Sequence, residues 1–196
     1  MKFLGNEDNH LVIVDKPAGM LTQGAGGNDG LEEILKKDYR YLQCVHRLDA
    51  PVSGIVVFAK SSKALSRLNA SMREGRWNKI YLARVEGGLE GSGTLEHHLI
   101  HGNHRAIIDP SGKRCVLNYK AQNGLVEIEL ITGRYHQIRA QLAAIGHPIF
   151  GDVKYGAKQK AMRGPKTIDL HHACLEFPHP TKNEVVSVVS DCPLRI

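Results

Sequence analysis

Hydrophobic positions along this chain fall into two rhythms. From Leu125 to Leu130 they alternate, with Val126, Ile128 and Leu130 on one side and Glu127 and Glu129 on the other. That is the period of a half-buried strand. Asn78 to Gly87 repeats the alternation, Ile80, Leu82 and Arg84 sharing one side, Tyr81 and Ala83 the other. His10–Val14 and Gly54–Ala59 are continuous apolar runs, and both predict strands, the second a buried one. A 3.6-residue period takes over from Ser61 to Arg73, where Leu65, Leu68 and Met72 line one helical face. Leu31–Lys37 reads as a short helix. Arg134–Gly146 reads as another, with Ile138, Leu142 and Ile145 at helical spacing and Gly146 as its stop. Strands near Ala173–Phe177 and Val185–Val189 close the chain. Strands outnumber helices without strictly alternating with them, which predicts an α+β fold on a mixed, largely antiparallel sheet with flanking helices.

Length and composition narrow this picture. The 196 residues suit one domain spanning 1–196, and 42% hydrophobic with 23% charged residues describes a soluble globular chain with a real core. There is no internal repeat, low-complexity tract or linker. The Gly-rich stretch Thr22–Gly30 is a loop too short to separate domains. No charged-then-apolar leader opens the chain, and no apolar run is long enough to cross a bilayer. The expectation is a cytoplasmic protein away from membranes. Cys44, Cys115, Cys174 and Cys192 form no C-x-x-C pair and read as free thiols of a reducing compartment. The net charge of +6 makes a polyanion a plausible partner; basic proteins are common, so the surplus alone favours nucleic acid only somewhat.

Several residues then ask for a purpose. In "VHRLDAPVSGIVVFAK" (Val45–Lys60), Asp49 follows His46 and Arg47 directly before the buried run. It could end a loop in an ion pair, or it could be a carboxylate kept ionised for work as a nucleophile or base. "TGRYHQIRAQL" places Arg134 and His136 at the front of the predicted helix and Arg139 one turn in. Cations there oppose the helix dipole, so they call for a phosphate or carboxylate, unless they are solvated on an open face. Tyr81 is either a core aromatic or a ring that stacks on a base. His97, His98, His101 and His104 resemble a metal cluster. Nearby glycines, however, break the helix that would align them. A His-rich basic hairpin near nucleic acid is the preferred reading, with no metal.

Five ordered blocks carry a resemblance: "VDKPAGML" (Val14–Leu21), the Val45–Lys60 segment, "NKIYLARVEG" (Asn78–Gly87), "LITGRYHQIRAQLAAIGHPIFGDVKYG" (Leu130–Gly156) and "LHHACLEFPHPTK" (Leu170–Lys182). Together they resemble the RluA-like family of RNA pseudouridine synthases, from about residue 10 to 182. The resemblance implies a catalytic domain with a central basic cleft. It implies an isomerase that turns uridine in transfer or ribosomal RNA into pseudouridine, without cofactor, metal or obligate protein partner, as a monomer by default. Asp49 would be the catalytic aspartate, Tyr81 the active-site tyrosine and Arg139 the aspartate's basic partner. Leu170 would pack near the base, and Arg47 would help displace the target nucleotide, which must be flipped from its strand. Arg134, His136, Lys16 and Lys60 are candidates for phosphate contacts.

Ala50 stands where the family often has Arg, and Val52 where Thr is frequent; both bear on which RNA is accepted. The chain starts almost directly on the catalytic domain, so RNA selection is expected to come from that domain. Two other functions compete: a catalytically silent RNA-binding or RNA-folding factor on the same scaffold, and a zinc-dependent hydrolase built on the four histidines. The joint presence of Asp49, Tyr81 and Arg139 argues for the enzyme.

Overall fold

A computed structural model of the chain describes residues 2–5, 8–192 and 194. Among them the elements begin with β1 (Lys2–Phe3), β2 (Leu11–Lys16), α1 (Leu31–Leu35), β3 (Gln43–Cys44), β4 (Ser53–Ala59) and α2 (Ser62–Arg73). There follow β5 (Asn78–Arg84), β6 (Gly91–His101), β7 (Ala106–Ile108), β8 (Lys113–Gln122) and β9 (Leu125–Leu130). The chain ends on α3 (Gln137–Ala144), β10 (Leu170–Pro178) and β11 (Val185–Val189), with single turns of 3-10 helix at Lys36–Asp38 and Val153–Tyr155. Strand-rich, helix-poor and mostly antiparallel, this is the α+β fold that the hydrophobic rhythm predicts. No helix among the described residues is long and apolar enough to cross a membrane.

Two compact units make up the chain. The first comprises Met1–Asn78 with His172–Asp191, the second Lys79–His171 with Cys192–Ile196. In the first, β4 pairs antiparallel with β2 from Leu11↔Ala59 to Lys16↔Gly54, and β1 and β3 add short pairings to β2 and β4. Every residue of β4 is buried, which is why its sequence is apolar without alternation. Helix α2 starts where the Ser61 hydroxyl accepts the Ala64 N–H, the expected N-cap. It buries Leu68 against Ile55, Val57, Leu175 and Phe177, with Leu65 and Met72 packed alongside. Trp77 stacks on Phe177 at 4.6 Å and donates its indole N–H to Ser71. At Gly54 the backbone has φ +115°, and a β-carbon would lie 2.3 Å from the His172 carbonyl oxygen, so only glycine fits at the head of this strand.

In the second unit the strand order is β5-β9-β8-β6-β7. Ile128 of β9 lies opposite Tyr81 of β5 and Tyr119 of β8, and the alternation of Val126, Ile128 and Leu130 inward against Glu127 and Glu129 outward is as read. Helix α3 buries Ala140 against Leu99, Ala106 and Cys115 of the sheet. It is shorter than the sequence predicts. His136 takes a left-handed conformation (φ 52°, ψ 23°) and the helix begins only at Gln137, leaving Arg134 and His136 outside its first turn.

Candidate functional site

The aspartate loop of the first unit is held on both sides of Asp49. On one side the Thr22 hydroxyl donates to the Leu48 carbonyl at 2.8 Å and accepts the Leu48 N–H at 3.1 Å, both buried. On the other, the Ala50 carbonyl accepts the Gly19 N–H at 2.7 Å and the Lys16 ammonium at 3.2 Å. The Val52 N–H then closes a turn on the Asp49 carbonyl. Asp49 itself is half-buried. The main chain on both sides of it is therefore fixed, which sets where its side chain starts from. His46 anchors the start of the motif, its Nε2 accepting the Val57 N–H at 3.3 Å and its ring edge-on to Trp77 and His172.

Lys16 requires a correction. Expected as a phosphate contact, it is 0% exposed, and its ammonium donates to the carbonyls of Pro17, Met20 and Ala50. An ammonium has three N–H donors, and these carbonyls engage all of them. Lys16 thus ties the turn after β2 to the aspartate loop. Lys60, half-buried, donates to the Asp8 carbonyl at 2.8 Å and sits over the Tyr39 ring.

Arg47 is exposed, and its Nη1 donates to the Gln23 side-chain oxygen at 3.3 Å. Gln23 in turn donates to Glu32, a buried carboxylate near the start of α1 that also accepts the Lys36 ammonium and the Cys44 N–H. Glu32 was not singled out from the sequence, where it is one of two adjacent acids in a short helix. Burial alone would raise its pKa; the bonds from Lys36, Cys44 and Gln23 outweigh that and hold it below the usual 4.5. The Cys44 thiol is pushed up to about 12 by burial and by Glu32, and so remains protonated. A depressed carboxylate stabilises the fold fully above its unfolded pKa and stops doing so as the pH falls through its folded one. Glu32→Gln is therefore expected to lower stability at neutral pH and to flatten the acid loss that begins below about 4.5. Urea titrations from neutral to acid pH measure both, and an unchanged acid limb would refute the assignment.

In the second unit Tyr81 is 6% exposed in the middle of β5, and Leu170, at the start of β10, is buried. Arg139 is 5% exposed and forms a two-pronged ion pair with Asp152, Nε to Oδ2 at 2.7 Å and Nη2 to Oδ1 at 2.8 Å. Asp152 is 1% exposed. His136 completes the group, its Nε2 lying 2.9 Å from Arg139 Nη1 and its Nδ1 3.0 Å from the Tyr155 hydroxyl. A guanidinium can only donate, so Nε2 is the acceptor and a neutral His136 carries its proton on Nδ1, toward Tyr155. The Tyr155 oxygen also accepts the Ala106 N–H at 2.7 Å and donates to the Ala106 carbonyl. Burial pushes the Tyr155 phenol up to about 12, so it stays protonated and acts as a fixed bridge.

His136 is buried with both ring nitrogens committed, so its work is to hold Arg139 and not to meet a phosphate. Arg134 is exposed, with its Nε near the Arg114 carbonyl at 3.4 Å. Asp152 and Tyr155 lie in the Leu130–Gly156 block, where nothing local in the sequence assigns either a role. The signal available was the need of a cation early in α3 for a nearby anion. Strand alternation sends His97 and His98 of β6 to opposite faces of the sheet, and His97 Nδ1 lies 3.1 Å from Gln141 Nε2. Among the described residues no three His, Cys, Asp or Glu side chains gather into a metal-binding group.

Comparison with known proteins places nearly the whole chain beside its relatives. A family described as RNA pseudouridylate synthase matches residues 10–144. The dual-specificity RNA pseudouridine synthase RluA of Vibrio vulnificus (strain CMCP6) is 33% identical over 204 residues, spanning 95% of this chain and 81% of that protein. The ribosomal large subunit pseudouridine synthase C of Salmonella typhimurium is also 33% identical over 93% of this chain, which spans 64% of that relative's length. Among solved structures, human RNA pseudouridylate synthase domain containing 1 superposes with a TM-score of 0.81 at 23% identity, over 99% of this chain and 85% of the other. Human RNA pseudouridylate synthase domain containing 4 superposes with a TM-score of 0.74 at 22% identity, over 96% and 88%. At such identities the superpositions speak for a shared fold.

Proposed function

The chain belongs to the RNA pseudouridylate synthase family, and from that premise we propose that it isomerises particular uridines in structured transfer or ribosomal RNA, with residues 1–196 acting as one catalytic domain. The observation that carries the reading is the Asp49 loop: a family motif whose backbone is clamped on either side, at Leu48 and at Ala50, which fixes where the half-buried Asp49 sits.

In this reading the target uridine is flipped out of its strand, which costs about a few kcal/mol of unstacking. Arg47, exposed and steadied through Gln23 by Glu32, fills the space it leaves. Asp49 then either attacks the anomeric carbon or removes a ribose proton. Both routes break the bond from the sugar to the ring nitrogen and free the uracil to turn. After the carbon–carbon glycosidic bond forms, carbon 5 gives up its proton, for which Tyr81 is the acceptor or relay. Arg139 supplies positive charge to the ionised aspartate, in an orientation that Asp152 and His136 set. Leu170 packs beside the base. Arg134 and Lys60 contact phosphates, and a cytoplasmic setting goes with an RNA substrate. Every atom of the product comes from the uridine itself, so the reaction needs no co-substrate.

The test maps pseudouridines in total RNA from cells with and without the protein. One or more sites are expected to vanish in its absence and to return with the wild-type gene. RNA affinity is expected to fall as salt rises, because phosphate contacts release counterions. An unchanged pseudouridine map would reject the activity.

A further inference from the structure

The second unit carries a column of aromatic rings whose outer members, Tyr135 and His101, the proposed reaction leaves unused. Tyr135 stacks on His136 with ring centroids 3.9 Å apart and planes 20° apart, and on His101 at 4.4 Å and 26°. Two rings this close cannot share one face of a phenol, so Tyr135 is sandwiched and His101 ends the column. His136 is its buried end, and His101 is exposed. The hairpin bearing His101, formed by β6 and β7, is pinned in place. The His104 carbonyl accepts the Lys154 ammonium at 2.9 Å and faces the Tyr135 hydroxyl at 3.4 Å, while Tyr155 holds Ala106.

Charge surrounds the open end. Arg105 in the hairpin turn, Lys113 on β8 opposite Leu99, and Arg134 beside Tyr135 are all exposed. Neither the turn from His101 to Ile107 nor the segment from Ile131 to His136 contains an acid. Stacked rings ending at a surface and rimmed by cations match one chemistry well, a flat base attached to a phosphate.

We propose that the exposed ring of His101, backed by Tyr135 and His136, is a stacking site for an unpaired nucleotide of the substrate RNA other than the uridine that reacts. This rests on the reading of the chain as an RNA-modifying enzyme. The site would favour uridines that have a single-stranded neighbour, and it would read the flatness of that neighbour more than its identity, because every base offers a π-face. Through Tyr135 and His136 the column also runs to Arg139, so an occupied stack is mechanically continuous with the group that holds the guanidinium.

The experiment compares wild type, His101→Ala and His101→Phe in two assays. One follows the fluorescence of a short single-stranded RNA containing a fluorescent adenine analogue; the other measures kcat and KM for pseudouridine formation on an RNA identified by the mapping above. His101→Ala is expected to weaken binding and raise KM by roughly five- to a hundredfold, the range for one base stack. His101→Phe is expected to restore both. Equal binding by all three proteins overturns the inference while leaving the enzymatic reading intact. Loss in both variants overturns it too, because an imidazole and not a stacking face would then be needed. Failure of the wild type to bind the RNA overturns it as well. A wild type that binds in the stacking pattern but makes no pseudouridine in any RNA defeats the enzymatic reading alone.

Discussion

Replacing Asp49 with Asn is expected to abolish pseudouridine formation, by about four orders of magnitude or more, while the protein stays folded and keeps its RNA affinity. The magnitude follows from what the substitution removes. Asn has nearly the shape of Asp, and the bonds from Thr22, Lys16 and Gly19 to the main chain of Leu48 and Ala50 are untouched, so these supports of the loop survive. What disappears is the anionic oxygen, required on either route as nucleophile or as base. Affinity is expected to persist because the contacts proposed for the RNA backbone lie elsewhere, on Arg134 and Lys60. Single-turnover assays on a mapped substrate, paired with binding titrations, check both halves. Undiminished turnover would reject the catalytic role of Asp49. The same pair of measurements tells an enzyme from a silent RNA-binding factor on this scaffold, since a binder would be indifferent to the loss of one carboxylate charge.

Much of the frame is legible in the sequence because burial writes a simple pattern there. Strand β4 is buried on both faces and reads as a continuous apolar run; β9 is buried on one and alternates; α2 shows one apolar stripe and a serine cap. Strands β6 and β8 are harder. Their apolar residues are spaced among histidines, lysines and arginines, and their order comes from pairing with each other from Gly91↔Ala121 to Leu99↔Lys113, a non-local fact. The start of α3 is misread because Arg134-Tyr135-His136 continues the helical spacing, whereas tertiary contacts of the His136 ring with Arg139 and Tyr155 accompany a left-handed turn. Lys16 looks like a surface cation in a proline turn. Only the folded chain brings three carbonyls to its ammonium. The motif residues Arg47 and Arg139 are legible as types, and their supporting groups are not, because Glu32, which steadies Arg47 through Gln23, and Asp152, the partner of Arg139, meet them across loops whose paths no local pattern encodes.

That last pair gives the sharpest separation of fold from chemistry. Arg139→Met is expected to cost about 3–5 kcal/mol of stability, because it strands the Asp152 carboxylate, 1% exposed, without its cation. Activity is expected to fall by at least about a hundredfold, the scale for removing one group that stabilises charge in a reaction. The single variant alone is ambiguous, since a weakened fold also loses turnover. The double variant Arg139→Met, Asp152→Leu resolves it. Buried ion pairs replaced as a pair by apolar side chains of similar volume are often neutral in stability or better, so most of the lost stability is expected to return, as a rise in the urea midpoint over the single variant. If Arg139 acts on the reaction, activity stays lost while stability recovers. If its whole function were to neutralise Asp152, turnover would recover along with the midpoint, and the role proposed for Arg139 beside the ionised aspartate would fall. Asp152→Asn adds a graded case: it keeps the guanidinium but exchanges a charged acceptor for a neutral one, so it should cost less stability than Arg139→Met and leave a measurable residue of activity that the double variant lacks.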